Sequence, residues 1–167
     1  MNFIEANGVS LRYVVEGIGK PIVLIHEMGG TIESWDLVVP ALAAKRRVIR
    51  YDTRGAGFSE KIRGVLKIAT MTNDLIALID ALGIEEKVAL AGTAVGGAIA
   101  LHTAVRFAGR ISAAIVLPAD HQHRAFDRGD LRRQVHGGEH PINAREAHRI
   151  VREPARAERR ELRRVRT

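Results

Sequence analysis

The residues best placed to do chemistry lie in three glycine-rich stretches, each following a short apolar run. The most telling is Gly92-Thr93-Ala94-Val95-Gly96-Gly97, which joins a strand-like segment directly to a helix-like one. In the pattern G-x-S-x-G such a turn is sharp, its serine hydroxyl stands out as a nucleophile, and the flanking glycines let backbones approach closely. Gly92 and Gly96 are in place here, but the central residue is Ala94. A methyl group has no oxygen to attack a carbonyl, and the Thr93 side chain is expected to point away from where Ala94 points. Glycine-rich strand-to-helix turns also arise for packing or for phosphate binding, so this stretch alone leaves the chemistry open. The other two stretches are His26-Glu27-Met28-Gly29-Gly30 and Asp52-Thr53-Arg54-Gly55-Ala56-Gly57-Phe58-Ser59.

Histidine is the other candidate chemistry. His26 and His102 read as structural, whereas His121, His123, His136, His140 and His148 all follow residue 120. The His121-x-His123 spacing could suggest a metal, but no cluster of further ligands accompanies it and the chain has no cysteine. No metal and no cofactor are expected.

The elements that must position these stretches alternate between strand and helix patterns, which predicts a sheet with crossover helices. Phe3 to Ala6 and Val9 to Glu16 read as a hairpin around Asn7-Gly8. Pro21 to His26 is a continuous apolar run suited to a strand covered on both faces. Trp35, Val38, Val39 and Leu42 repeat at helical spacing, so Trp35 reads as core packing. Arg47 to Tyr51 is the next strand, and Leu75, Ile76, Leu78, Ile79 and Leu82 form a helical stripe closed by Gly83. A strand over Lys87 to Ala91, a helix over Val95 to Phe107 and a last strand over Ile111 to Leu117 complete the pattern.

Three motifs in this order, on these elements, resemble the α/β-hydrolase superfamily, and in particular its small bacterial esterases, enol-lactone hydrolases and carbon-carbon hydrolases. The resemblance covers residues 1–120 and implies an α/β fold, a mostly parallel sheet with flanking helices, cut short after the sixth of eight strands. It makes the turn at Ala94 a nucleophile elbow without its nucleophile, bounded by Gly92, Gly96 and Gly97. It also makes His26-Glu27-Met28-Gly29-Gly30 an oxyanion turn, with the Met28 and Val95 amides aimed at an oxyanion and Gly29 and Gly30 shaping the backbone. Glu27 stands where the family usually has glycine; it either points to solvent or serves in proton transfer. Asp52 and Arg54 are implied to brace the floor of the site through salt bridges. The triad's acid falls to Asp120, since some members place it after the sixth strand, and a tail histidine as base requires residues 121–167 to fold back over the turn. The implied activity is hydrolysis of ester, lactone or carbon-carbon bonds in small organic molecules, impaired by Ala94, whether that alanine is natural or engineered. The alternatives are a non-catalytic protein that binds a small ligand in the same fold, and an interaction protein acting through its tail.

Composition breaks near Asp120. Residues 1–120 hold 13 Lys and Arg against 12 Asp and Glu, whereas residues 121–167 hold 13 against 7, and all 13 of those basic residues are arginine. Two regions are therefore expected: a hydrolase core over 1–120 and an Arg- and His-rich tail over 121–167, with an arginine-rich helix conceivable from Glu153 to Arg166. A shifted reading frame, a basic appendage meeting phosphates and a solvated end all fit this composition. Nucleic acid is expected to bind only non-specifically through the arginines, because Phe126 is the tail's lone aromatic residue. No apolar run is long enough to span a bilayer and the N-terminus lacks signal-peptide features, which favours a cytoplasmic protein without membrane partners. Without a seventh strand, Ile111 to Leu117 would be an exposed sheet edge prone to self-association.

Overall fold

The computed structural model describes residues 1–61 and 64–117. The expectations concerning Asp120, the five later histidines, the arginine-rich helix and the character of residues 121–167 lie outside the described residues.

Asn7 and Gly8 both adopt positive φ, 51° and 73°, as a two-residue turn matched to the twist of its strands requires. They join β1 (Asn2–Ala6) to β2 (Val9–Glu16), with Ala6 opposite Val9. β2 runs antiparallel to β4 (Arg47–Tyr51), and from there the sheet is parallel through β3 (Pro21–Ile25), β5 (Val88–Thr93) and β6 (Ile111–Leu117). The strand order is β1-β2-β4-β3-β5-β6. After β3 the chain moves to one side of the sheet and after β5 to the other. The carboxyl ends of β3 and β5 thus flank the point where the winding reverses, the place where open α/β sheets form a crevice.

β3 is buried at every position, as its continuous apolar run requires. Alternation divides its side chains between two cores. Val23 and Ile25 join Leu75, Leu78 and Ile79 of α2 (Ile68–Ala81) and Ile99 and Ala100 of α3 (Val95–Arg106). Ile22 and Leu24 meet Trp35 and Val39 on the opposite face. Trp35 is core, but the helix expected around it is interrupted: a single 3₁₀ turn (Ile32–Trp35) precedes a five-residue helix, α1 (Val39–Ala43). Pro40 in the first turn of α1 explains the break, since proline starts helices more readily than it continues them. α2 begins earlier than its apolar stripe suggested, with Met71 one turn ahead of Leu75 also buried. Among the described residues β6 pairs with β5 alone, and its Ile115 and Val116 are nearly half exposed.

Candidate active site

Three loops converge at the carboxyl ends of β3, β4 and β5. Their packing begins with the turn from β5 into α3. Ala94 adopts φ 47° and ψ −115°, a conformation that L-residues rarely hold and that costs about 1–3 kcal/mol. Its carbonyl accepts the first helical hydrogen bond, from the Ala98 amide at 3.1 Å. Ala94 is exposed, whereas Thr93 before it is buried, so the two side chains diverge as expected.

The glycines around this turn are required by contact. A Cβ on Gly92 would lie 2.2 Å from the Gly96 carbonyl oxygen, and a Cβ on Gly96 would lie 2.2 Å from that of Ile25. α3 therefore starts hard against the end of β3, and only bare backbone fits between them. Gly97 is tight against a softer neighbour, the Val116 side chain.

Beyond β3, Gly29 takes φ 79° with open space about it, while Gly30 lies beneath the Glu27 carboxylate. Here the expectation that Glu27 could simply point to solvent is overturned. Its side chain is half-buried and folds back over Gly30, where one oxygen accepts from Ser34 Oγ at 3.1 Å and the other faces Thr93 Oγ1 at 3.4 Å. The Ser34 hydroxyl, presented by the 3₁₀ turn, makes folding back favourable because it offers the carboxylate a donor close to its own loop.

His26 is buried and spoken for on both ring nitrogens. Nδ1 donates to the Glu27 carbonyl at 2.7 Å and Nε2 accepts from the Thr53 amide at 2.9 Å, an arrangement that fixes the Nδ1–H tautomer. It thereby fastens the loop after β3 to the loop after β4.

Asp52 is fully buried, and one of its oxygens accepts from the Ile32 amide at 2.7 Å. The other accepts from the Phe58 amide at 2.8 Å and faces the Arg12 guanidinium at 3.3 Å. Gly57 passes so close that a Cβ there would lie 2.0 Å from this carboxylate. Arg12 also pairs with Glu33 and lies 5.0 Å over the Phe58 ring. The Arg12 hydrogen bond, with help from Thr31, lowers the Glu33 carboxyl to about 2. Arg54 forks onto Asp74, which raises the guanidinium further above its ordinary value. The bracing role implied for Asp52 and Arg54 is what their contacts provide. Their partners Arg12 and Asp74 were not legible beforehand, because an arginine in a hairpin strand and an aspartate in a helix pattern read as surface residues.

The loops enclose a cavity of about 280 Å³ lined by His26, Glu27, Met28, Thr53, Arg54 and Val95, among others. Among the described residues, neither the Met28 nor the Val95 amide donates to any acceptor. His102 lies away from this cavity, bonded through Nδ1 to Thr72 Oγ1 at 3.1 Å, and ties α3 to α2. No group of three or more metal-binding side chains occurs among the described residues. No helix among them is long and apolar enough to cross a membrane.

A family model for the alpha/beta hydrolase fold matches residues 20–148, and the chain belongs to that family. It is 32% identical over 120 residues to 2-hydroxy-6-oxo-2,4-heptadienoate hydrolase of Pseudomonas putida, a match covering 70% of this chain and 43% of that protein. The enol-lactonase of Burkholderia xenovorans superposes with a TM-score of 0.65 at 35% identity, over 68% of this chain and 45% of that one. A serine-to-alanine mutant of the meta-cleavage product hydrolase of Pseudomonas fluorescens, complexed with acetates, superposes with a TM-score of 0.62 at 33% identity, over 68% and 45% of the two chains. The chain thus spans less than half the length of each of these relatives.

Proposed function

We propose that this protein holds the carbonyl group of a small ester, lactone or carbon-carbon hydrolase substrate in the cavity beside Ala94, at a nucleophile elbow that has lost its nucleophile. The observation that carries this reading is the backbone of Ala94. A strained non-glycine residue at a strand-to-helix turn is a feature retained for a site, and nothing in the packing of a methyl group demands it. Gly92 and Gly96 support the same reading, since they allow α3 to begin close enough for the Val95 amide to face the cavity. Met28 and Val95 would then supply two donors to an oxygen that gains negative charge, a contribution worth about a hundred- to a thousand-fold in rate per donor.

In relatives that carry serine at this position, the hydroxyl attacks the carbonyl, backbone amides hold the oxyanion, and a histidine-activated water releases the product. Ala94 removes the first of these steps, so no acyl-enzyme can form. The serine-to-alanine relative complexed with acetates favours a site that still accepts small carboxylates without its hydroxyl.

Two measurements test the proposal. Titration with acetate, followed by amide resonances, is expected to shift Met28 and Val95 first; shifts elsewhere and none at these two would overturn it. Incubation with p-nitrophenyl acetate, followed by mass spectrometry of the tryptic peptide spanning residues 88–106, is expected to show no acetyl adduct.

A further inference from the structure

A second cavity, of about 300 Å³, lies where the loop after β4 meets the start of α2. Arg54, Lys61, Lys67 and Thr70 give it a polar wall, and Val65 and Leu66 an apolar one. It shares Arg54 and Leu66 with the cavity beside Ala94 and is otherwise lined by different residues.

The fold leaves donors on these cations unspent. Arg54 commits Nε and Nη2 to Asp74 and the Asn7 carbonyl, and among the described residues its Nη1 has no acceptor. The fork on Asp74 holds the planar guanidinium still, so Nη1 offers its N–H groups from a fixed place. Lys61 Nζ donates to the carbonyls of Gly55 at 3.2 Å and Gly57 at 2.6 Å, which leaves one of its three N–H groups over. The Lys67 side chain has no hydrogen bond or ion pair among the described residues. Arg12, Arg50 and Arg110 each meet a carboxylate, as Arg54 does, whereas neither lysine meets one among those residues.

Charge and shape define the occupant. Glu60 is the one acid lining this cavity, with Oε2 accepting from the Ser10 amide at 3.0 Å, and Asp74 lies behind Arg54. Three cations against these two acids leave one net positive charge, which a monoanion neutralises and a dianion overshoots. Val65 and Leu66 are both exposed, and a ligand with hydrocarbon to cover them gains by doing so. We therefore infer that this cavity binds a small organic carboxylate, with its headgroup on Arg54 Nη1, Lys61 and Lys67 and its hydrocarbon part against Val65 and Leu66. The Thr70 hydroxyl supplies a neutral donor beside the lysines. Acetate, with a single methyl group, is too short to use the apolar wall, so this site is separate from the one at Met28 and Val95.

The test is titration of the full chain with hexanoate, followed by amide resonances, with hexanol and inorganic phosphate as comparisons. The unaltered protein is measured beside Lys67→Gln and Val65→Ser, two exposed positions where a change leaves the core intact. Hexanoate is expected to give saturating shifts at Lys61, Lys67 and Thr70, weakened by added salt. Lys67→Gln is expected to weaken binding about three- to ten-fold and Val65→Ser about three-fold, while the acetate shifts at Met28 and Val95 stay as they were. Hexanol, without the charge, and phosphate, without the hydrocarbon, are each expected to bind more weakly than hexanoate at these amides. Shifts scattered over exposed lysines and arginines without saturation, or undiminished binding in Lys67→Gln, overturn the site. Hexanol or phosphate binding as tightly as hexanoate overturns the ligand class, and those two comparisons need no variant.

Discussion

Two carboxylates, Asp52 and Glu27, lie on neighbouring loops of the same crevice and are buried to different depths. Asp52 is fully buried, with two backbone amides and a guanidinium on its oxygens. Each of these partners can only donate, so together they occupy acceptor sites on both oxygens. Glu27 is half-buried, and its partners include the Ser34 and Thr93 hydroxyls. Asp52 thus fastens Arg12, Ile32 and Phe58 to one another, whereas the described contacts of Glu27 reach the turns that carry Ser34 and Thr93. The two acids carry the same functional group, and depth of burial with the partners it brings sets how much of the fold rests on each.

The comparison breaks if the two residues prove equally structural. Asp52→Ala is expected to cost about 3–5 kcal/mol in urea unfolding, because it leaves Arg12 without its buried counter-charge, whereas Glu27→Gln is expected to stay within about 1 kcal/mol. Equal losses would erase the distinction. Gly96→Ala comes next. Its Cβ would sit 2.2 Å from the Ile25 carbonyl oxygen, and forcing α3 away from β3 is expected to cost about 1–3 kcal/mol and to abolish the acetate shifts at Val95. Ala94→Gly should act in the other direction, raising stability by about 1 kcal/mol through relief of the positive φ; a loss on thermal unfolding would mean that the turn is not strained. The smallest effect concerns pH. Glu33 is lowered from 4.5 to about 2 by Arg12 and Thr31, so its folded form holds a proton less readily than the unfolded chain. Its contribution is present above about 4.5 and lost as pH falls toward 2. Glu33 is half exposed, so salt should screen this slope, and Glu33→Gln should flatten it in acid unfolding curves.

Most of the sheet was legible in the sequence because its signals are local. β2, β4 and β6 fall where apolar runs and the Asn7-Gly8 turn put them, and the three glycine-rich stretches follow the strands expected of them. What escaped depended on partners distant in the chain. The first turn of α2 was missed because Met71 stands beside polar residues and its burial comes from the sheet. The helix expected around Trp35 was divided by Pro40, a local signal that the apolar spacing outweighed. Glu27 was open to two readings, since Ser34, which draws it back over its own loop, carries no mark of that role in the sequence. Arg12 and Asp74 are surface residues by type and buried fasteners by position, a distinction that only the fold supplies.

The strained turn also has a consequence for how this chain can change. Alanine codons lie one base from serine codons and one base from glycine codons. At position 94 these two steps lead to opposite ends: serine would add a hydroxyl while keeping the awkward backbone, and glycine would relax the backbone while discarding any side chain. Alanine there is a crossroads, from which a single base change either puts an oxygen at the tip of the turn or removes the strain stored in it.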